Sequence, residues 1–389
     1  MKKKSLLIIS NNNLGPVQSG GDTIYLNFIK YWSTHLDITL WGSAEARHLL
    51  KLNQIKTKFI QTDSINPHYQ ATIINLFWHH LRRLIMGIIA FIRDLKIFKT
   101  SDYCYTASDF WPDFLFGLLY KLVNPQGRWL CGYYLIVPKA TSPDSPYQKQ
   151  LLKNNLYYFS QKLSLKLANK YANFILITSQ PDQKYFPKKK TVIVRGGVDL
   201  SHSQKIKKIP INRRQFTAVF QGRLHPQKGI LSMIDIWKLV VSKIPSAKLA
   251  IIGDGQLKDQ MLNKIKKLKL QKNISYFGFQ HATKKYKIFA NSKIVLHPAV
   301  FDSGGMSAAE AMAFALPGVS YDLLALKTYY PQGMIKTPLH NQKQFAKNII
   351  RLLEDPILYQ KYSRQALSLI KNKWDWQKHA NFLYKKIFS

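Results

Sequence analysis

The stretch KIVLHPAVFDSGGMSAAEAMAFALPGVSYD, residues 293–322, decides the fold. The apolar run KIVLHP predicts a strand, the small apolar residues in the middle predict a helix, and GVSYD predicts a second strand. Glu310 lies in the helical part, surrounded by alanines, in a chain that holds only three glutamates. The order strand, helix, strand predicts an α/β unit, and the isolated carboxylate raises the question of what Glu310 binds.

The same alternation of short apolar runs and longer helical patterns extends over the chain. In the first half the candidate strands are LLIIS (6–10), DITLW (37–41), KFIQ (58–61), YCYT (103–106), RWLCGYY (128–134), FILITS (174–179) and TVIV (191–194). In the second half they are TAVFQ (217–221), KLAIIG (248–253), ISYFG (274–278), KIVLHP and GVSYD. This pattern predicts two doubly wound, Rossmann-like parallel sheets.

The domain boundaries follow from shifts in composition. We expect an N-terminal domain over residues 1–200, a polar, basic linker over 201–214, and a C-terminal domain over 215–370. Residues 371–389 carry large apolar residues at helical spacing. They predict a terminal helix that docks on a domain surface, with the N-terminal domain as the candidate.

The charge of the chain indicates an anionic partner. Its 58 Lys and Arg residues against 20 Asp and Glu give a formal charge of +38, spread along the whole sequence. Phosphates on a ligand, a nucleic acid or an acidic membrane surface would each answer such a charge. No nucleic-acid recognition motif is present, so specific nucleic-acid binding is not expected. The two cysteines, Cys104 and Cys131, lie in strand-like runs without metal or disulfide spacing, which suits a reducing cytosol.

Two loops that follow strands carry candidate anion-binding groups. Gly20 and Gly21 lie where a loop enters a helix, so that backbone N–H groups there can face an anion, although a plain tight turn explains the pair equally well. Arg223 and Lys228 follow TAVFQ, at the carboxyl end of a strand, where open α/β sheets bind ligands. A rigid guanidinium and a mobile ammonium together could clamp two phosphates.

The opening stretch supplies two carboxylates. Asp302 precedes the SGG run that opens the helix, and Glu310 follows about two helical turns later. A carboxylate that faces inward needs hydrogen-bond donors, and a ribose diol would be suitable. The alternative is a Glu310 that faces solvent, among alanines that favour the helix.

Four segments together resemble the retaining glycosyltransferases of family 4, which have the GT-B fold. In order and spacing these are VIVRGGVDL (192–200), GRLHPQKG (222–229), AIIGDG (250–255) and HPAVFDSGGMSAAEAMAFALPGVSYD (297–322). The resemblance implies two Rossmann-like domains facing a cleft, a nucleotide-sugar donor held by the C-terminal domain and an acceptor held by the N-terminal domain. It implies no metal and no other cofactor.

The resemblance also implies roles for individual residues. Glu310 matches the glutamate that binds the donor ribose, and Asp302 the acidic residue that contacts the donor sugar. Arg223 and Lys228 match the pair on the diphosphate. The remaining positions implied to contact the donor are Gly304, Gly305 and Met306 beside Asp302, with Gly20 and Gly21 on a loop that closes over the diphosphate.

Two positions depart from the family pattern. Asp302 stands where the family usually has a glutamate, so its reach is one methylene shorter. Where the family usually has a histidine in the N-terminal domain, this chain offers Tyr133 and Tyr134, of which Tyr134 is our catalytic candidate. A tyrosine can hydrogen-bond a sugar hydroxyl, but a phenol of pKa near 10 is a poor base at neutral pH.

Two further segments bear on the acceptor. Asp109 and Asp113 in SDFWPD could supply polar contacts, with a capped helix start as the favoured interpretation. Residues 75–99 predict a helix with arginines around an apolar stripe, and its longest uncharged run, residues 84–92, is too short to span a bilayer. We expect the stripe to be buried, with attachment to an anionic membrane surface as the alternative. Its members are Phe77, Leu81, Leu84, Ile85, Ile88, Ile92 and Leu95.

The sequence therefore predicts a retaining, metal-independent glycosyltransferase that moves a sugar from a UDP- or GDP-sugar to a hydroxyl of a glycan or lipid-linked acceptor. We expect it in the cytoplasm or on the inner face of the membrane, in surface polysaccharide or glycolipid assembly. The alternatives are a catalytically idle GT-B subunit that binds a partner or membrane, and a nucleotide-sugar 2-epimerase.

Overall fold

The computed structural model describes residues 3–13, 18–64, 73–139, 141–142, 145, 151–207, 209–280, 282–302 and 304–389. The chain forms two compact units. The first comprises residues 1–140, 150–196 and 377–389, and the second comprises residues 141–149 and 197–376. The division falls between residues 196 and 197, so the segment that we predicted as a linker, 201–214, belongs to the second unit. A short helix forms at its start.

The first unit is built on a parallel sheet of seven strands in the order β3-β2-β1-β4-β5-β6-β7. The strands are β1 (Ser5–Ser10), β2 (Asp37–Gly42), β3 (Lys58–Gln61), β4 (Tyr103–Thr106), β5 (Arg128–Tyr133), β6 (Phe174–Ile177) and β7 (Thr191–Ile193). The central strands are almost entirely buried, because helices cover both faces of a parallel sheet.

The helices of the first unit divide between the two faces of its sheet. They are α1 (Gly20–Trp32), α2 (Ala44–Leu52), α3 (Ile73–Arg93), α4 (Leu95–Thr100), α5 (Trp111–Val123) and α6 (Leu151–Tyr171). The chain first moves from β1 to β3 and then returns past β1 to β4 and on to β7. Because parallel crossovers are right-handed, this reversal puts α1 and α2 on one face and α3 to α6 on the other.

The second unit is built on a parallel sheet of six strands in the order β10-β9-β8-β11-β12-β13. The strands are β8 (Phe216–Gln221), β9 (Leu249–Ile252), β10 (Ile274–Tyr276), β11 (Ser292–His297), β12 (Gly318–Tyr321) and β13 (Met334–Thr337). Sequence analysis missed β13, which is short and only partly apolar. Strand order reverses between β8 and β11, so the carboxyl ends of these two strands flank the crevice where such sheets bind ligands.

The helices of the second unit cover its sheet on both faces. They are α7 (Leu200–Lys205), α8 (Ile230–Val241), α9 (Lys258–Lys267), α10 (Ala282–Ala290), α11 (Met306–Met312), α12 (Leu324–Tyr329), α13 (Gln342–Glu354) and α14 (Pro356–Lys373). One buried cluster packs around Trp237 of α8 and another around Met312 of α11.

The last helix, α15 (Trp376–Phe388), returns to the first unit from residue 377 onward. The indole N–H of Trp32 in α1 donates to the backbone carbonyl of Ala380 at 2.9 Å. The ring of Phe388 packs edge-on against Trp32, with 5.2 Å between ring centroids, and against Tyr103 at 4.7 Å. These contacts attach the end of the chain to α1 and to β4.

Helix α3 faces the opposite way from our expectation. Four members of the predicted buried stripe are exposed: Phe77, Ile85, Ile88 and Ile92. The side chains that α3 buries instead include His79, Arg83 and Ala90. The spacing identified an apolar side of the helix correctly, but buried polar contacts fix the other side against the protein.

Candidate functional site

Glu310 lies on α11, a helix of seven residues whose other side packs into the core. The helix begins after Gly305, which has a left-handed backbone conformation with φ of 49°. A Cβ atom at Gly305 would lie 2.9 Å from the ring of Tyr330. Ala308, Ala309 and Ala311 are buried, so the alanines around Glu310 allow close packing against the sheet. Glu310 projects from the remaining side, at the carboxyl end of β8.

The carboxylate of Glu310 is held by two side chains. The Nζ atom of Lys285, on α10, donates to its two oxygens at 2.8 and 2.9 Å. The Nε2 atom of Gln221, the last residue of β8, donates to Oε2 at 2.7 Å. The Glu310 side chain is 23% exposed and that of Lys285 is 14% exposed. Glu310 is therefore neither free in solvent nor enclosed, and part of its surface is open to a ligand.

Asp302 is the centre of a second cluster. Its Oδ2 atom accepts from Lys228 Nζ at 2.6 Å and from His297 Nε2 at 3.0 Å. Its Oδ1 atom accepts from the backbone N–H groups of Gly304 at 3.2 Å and Gly305 at 3.1 Å. Burial alone would raise the pKa of Asp302, but Lys228 and His297 outweigh it and hold that pKa well below its usual value. Asp302 is therefore ionised and accepts hydrogen bonds from all four of these groups.

A tight contact between two loops brings Lys228 to Asp302. Gly229 has φ of 66°, and a Cβ atom there would lie 2.0 Å from the carbonyl oxygen of Pro298, just after β11. The carbonyl of Gln227 accepts from the backbone N–H of Val300 at 3.0 Å. The loop after β8 is thus fixed against the loop after β11, and the ammonium of Lys228 reaches the carboxylate.

Arg223 does not join this cluster. Its side chain is exposed, and in the part of the chain that the structure describes no hydrogen bond or ion pair forms at its guanidinium. Of the predicted pair, Lys228 therefore forms an ion pair with Asp302, whereas Arg223 is accessible from solvent.

Three further site residues were missed by sequence analysis: Lys285, His297 and Lys336. His297 ends β11, and burial lowers its pKa, so the ring is neutral and its Nε2–H can donate to Asp302. Burial also lowers the pKa of Lys336, on β13, to about 8. Its Nζ atom lies 3.2 Å from Ser320 Oγ and 5.7 Å from the centroid of the Tyr330 ring. Among 58 basic residues no pattern could single out these lysines, whereas His297 has a signal in its position at a strand end.

In the first unit, the start of α1 is occupied by its own side chains. Ser19 caps the helix: its Oγ accepts from the N–H of Asp22 at 3.2 Å, and the Asp22 carboxylate accepts from the Ser19 N–H at 2.7 Å. Asn13 Nδ2 also donates to Asp22 at 2.8 Å. A carboxylate therefore stands beside Gly20 and Gly21, at the positive end of the helix. Residues 14–17 of the predicted loop lie outside the described residues.

Tyr134 lies beside Gly21. A Cβ atom on Gly21 would be 3.4 Å from the Tyr134 ring. The Tyr134 hydroxyl forms a short hydrogen bond with the hydroxyl of Tyr105, and burial raises the pKa of Tyr134. Its phenol is therefore protonated at neutral pH and can donate or accept a hydrogen bond. Tyr133 is excluded as a site residue because it is buried, with its hydroxyl donating to Ser164 Oγ at 2.9 Å.

Asp109, just before α5, and Asp113, in its first turn, are both buried. Asp113 accepts from the backbone N–H groups of Asn11 and Asn12 and from Ser108 Oγ. Burial raises its pKa to about 7 and that of Asp109 to about 6. The helix-cap interpretation is wrong, because α5 begins after Phe110 without a side-chain cap. Asp113 instead ties the loop after β1 to α5.

Within the described residues, no group of three or more His, Cys, Asp or Glu side chains could hold a metal ion.

Comparisons with known proteins identify related glycosyltransferases. Residues 201–368 match the family model described as glycosyl transferases group 1. The chain is 27% identical over 257 residues to an uncharacterized glycosyltransferase of Methanocaldococcus jannaschii, covering 54% of this chain and 63% of that protein. It is 28% identical over 159 residues to the poly(glycerol-phosphate) alpha-glucosyltransferase of Bacillus subtilis, covering 40% of this chain and 23% of that protein. The match thus spans less than two thirds of the length of these curated relatives.

The fold extends over the whole chain. The structure of Anabaena HepE in complex with UDP and glucose aligns with a TM-score of 0.74 at 15% identity, covering 100% of both chains. This likeness and the two parallel sheets confirm the predicted GT-B fold.

Proposed function

We propose that this chain, whose residues 201–368 match the family model of glycosyl transferases group 1, transfers a sugar from a UDP- or GDP-sugar to an acceptor hydroxyl, with retention of configuration and without a metal. The observation that carries the proposal is the pair of carboxylate clusters, around Glu310 and around Asp302, at the carboxyl ends of β8 and β11. These ends form the switch point of the second sheet, where ligands bind.

The cluster around Glu310 suits the ribose of a nucleotide. A carboxylate with two oxygens can accept from two vicinal hydroxyl groups. Lys285 already holds both oxygens and fixes the orientation of the group. Because its orientation is already fixed, the Glu310 side chain loses little conformational entropy when a ligand binds.

The cluster around Asp302 suits a diphosphate next to a sugar. Lys228 and the backbone N–H groups of Gly304 and Gly305 are donors that phosphate oxygens accept from. Arg223 is accessible to a second phosphate, and Met306 lies beside Gly305 at the start of α11. In the structure Asp302 accepts hydrogen bonds from Lys228 and from the backbone N–H of Gly305. We propose that the diphosphate of the nucleotide-sugar accepts these hydrogen bonds instead, and that the Asp302 carboxylate then accepts from a hydroxyl of the donor sugar.

The chemistry proposed at this site is electrostatic. The bond between the sugar C1 and the leaving phosphate oxygen breaks, the acceptor oxygen bonds to C1 from the same side, and its proton passes to the leaving phosphate. The cations and N–H groups around Lys228 stabilise the negative charge that develops on the diphosphate. In this scheme Gly20 and Gly21 border the diphosphate, and Tyr134 hydrogen-bonds a sugar hydroxyl as a neutral phenol.

The charge of the chain and one relative bear on the acceptor. One relative is named for glucosyl transfer to poly(glycerol-phosphate), a polyanion, and this chain has a formal charge of +38. A glycan or lipid-linked acceptor in surface-polymer assembly, handled on the cytoplasmic side of a membrane, fits both observations.

Calorimetric titration with UDP and with GDP tests the donor site. One of the two should bind, and Glu310→Ala should weaken that binding by about 1.5–3 kcal/mol, since hydrogen bonds to a charged group are lost. Glu354→Ala is the matched control, because it removes an exposed carboxylate from α13 of the same unit. Equal losses in both variants would refute the ribose assignment.

Two other outcomes would favour the alternatives. Weak, salt-sensitive binding of both nucleotides, without transfer or donor hydrolysis, would indicate an idle subunit. The hydrogen bond between Tyr134 and Tyr105 favours this alternative, because it engages the Tyr134 hydroxyl. Conversion of the donor sugar without any acceptor would indicate an epimerase.

A further inference from the structure

Helix α3 buries polar side chains and exposes most of its large apolar ones. Arg83 is buried and forms ion pairs with two buried carboxylates, Glu45 and Asp63. The side exposed to solvent carries seven large apolar residues, each between 42% and 69% exposed: Ile74, Phe77, Trp78, Ile85, Ile88, Ile89 and Ile92. A surface helix of a globular protein normally has the reverse arrangement. The inversion indicates that something apolar covers this side.

Helix α6 continues the exposed apolar surface. Five of its large apolar residues are between 52% and 65% exposed: Leu151, Leu152, Leu156, Phe159 and Leu163. The crossover argument puts α3 and α6 on the same face of the sheet. The ring of Phe110, at the start of α5, lies 6.0 Å from His80 of α3 and stacks on Tyr157 of α6 at 4.8 Å. The exposed residues of α3 and α6 therefore lie on the same face of the first unit, and together they are called the apolar face below.

Most charges around the apolar face are positive; the exceptions are Asp63 and Asp94, which pair with Arg82 and Arg93. Helices α3, α4 and α6 contain no Asp or Glu. Their cations that are at least partly exposed are Arg82, Arg93, Lys96, Lys99, Lys153, Lys162, Lys166 and Lys170. Each such cation near an anionic bilayer contributes about 1 kcal/mol to binding.

We propose that the apolar face lies on an anionic lipid bilayer, with Phe77, Trp78 and Phe159 inserted at the level of the headgroups. Aromatic and aliphatic residues inside a ring of lysines and arginines are typical of surfaces that lie in the membrane interface. The described helices include none that is long and apolar enough to cross a bilayer, so the contact is with one leaflet. A second copy of this chain fits less well, because pairing two such faces would bring cations against cations.

This surface deepens the proposed function, because it would hold the first unit beside lipid-linked acceptors. Only the role of the surface in binding the acceptor rests on the proposed function; the contact with the bilayer does not. Vesicle binding without nucleotide tests the surface, and nucleotide titration tests the donor site, so either can fail alone.

The test compares two double variants of the full chain that leave its charge unchanged. Phe77→Ser with Phe159→Ser alters the apolar face. The control, Ile357→Ser with Phe382→Ser, removes two exposed apolar side chains of α14 and α15, outside that face. Co-sedimentation uses vesicles of phosphatidylcholine with about 30% phosphatidylglycerol, because anionic lipid is needed to attract the cations.

The apolar-face variant should bind these vesicles roughly 10- to 100-fold more weakly than the unaltered chain, because two aromatic rings no longer enter the interface. The control should bind like the unaltered chain. Binding that is equal in all three proteins would overturn the proposal, since charge alone would then explain it. No vesicle binding, with a dimer in light scattering that the apolar-face variant abolishes, would overturn it in favour of self-association.

Discussion

Asp302 is bound by Lys228, His297 and two backbone N–H groups, all of which an incoming phosphate could use. Before a nucleotide-sugar binds, the Asp302 carboxylate accepts hydrogen bonds from these groups. It also compensates the positive charge of Lys228, which is largely buried. A nucleotide-sugar that binds here competes with the Asp302 carboxylate for the same hydrogen-bonding groups. Its affinity therefore depends on how much stronger the hydrogen bonds to its phosphates are than those to Asp302.

Asp302→Asn should separate nucleotide affinity from sugar transfer. The amide oxygen can still accept from Gly304 and Gly305, but the negative charge that competes for Lys228 is gone. We expect UDP to bind several-fold more tightly, by about 1 kcal/mol, because a partly buried ion pair no longer has to open. Transfer should fall, since the charged contact with the donor sugar is lost.

Calorimetry and a transfer assay on the same preparation measure the two effects. Asp235→Asn is the control, because it removes another carboxylate that pairs with a lysine, Lys264, in the same unit. An Asp302→Asn protein that binds UDP as the unaltered chain does, or more weakly, would contradict competition by the carboxylate.

Residue by residue, the sequence was informative where a motif limits the choice. Lys228, Asp302, Gly304 and Gly305 do come together, because glycine-rich loops at strand ends leave few arrangements. Lys285 could not be predicted, since its role depends on how α10 packs beside α11. The interactions of Asp22 at the start of α1 were also missed, although SGGD, residues 19–22, already contains both halves of a capping box.

At the scale of elements, the ion pairs around Arg83 fix the orientation of α3. Arg83 is 1% exposed, as is Glu45 of α2, and Asp63 just after β3 is 3% exposed. Attraction between such charges in a low-dielectric interior offsets their desolvation only while all partners are present. The cluster thus acts as an anchor that turns the apolar side of α3 outward.

Arg83→Met should destabilise the protein by about 3–5 kcal/mol, because it leaves the buried Glu45 without its cation and Asp63 with Arg82 alone. The neighbouring Arg82 also pairs with Asp63, but its side chain is 42% exposed. Arg82→Met should therefore cost about 1 kcal/mol or less.

Urea unfolding followed by tryptophan fluorescence measures both variants. Equal losses would show that α3 is held by its apolar contacts and not by the buried cluster.

The order of strands and helices was largely predictable, because parallel strands buried on both faces read as short apolar runs. The orientation of α3 was not, since spacing defines a side of a helix without saying what that side meets. Burial of Arg83 depends on Glu45 and Asp63, which lie 38 and 20 residues away in the sequence.

At the scale of the molecule, the first unit is assembled from three separate stretches of the chain. The last of them, residues 377–389, packs on α1 and β4 through Ala380 and Phe388. Charge is also a property of the whole chain: both units are basic, and this attracts phosphate, polyanions and anionic lipid alike.

Phe388→Ala should destabilise the first unit by about 3 kcal/mol or more, since it removes a buried ring that packs against Trp32 and Tyr103. Phe382, on the same helix, is 60% exposed. Phe382→Ala should change stability by no more than about 0.5 kcal/mol. Calorimetric unfolding of the two variants makes the comparison, and similar melting curves would mean that α15 contributes little to the first unit.

The return of α15 also has a consequence for biosynthesis. A ribosome makes β1 to β7 long before it makes Ala380 and Phe388, so during translation the Trp32 indole lacks its final partners. Domains generally fold in the order in which they are made. Here the second unit can complete its fold before α15 is made. The first unit, whose strands are made earlier, is complete only after α15 packs on it.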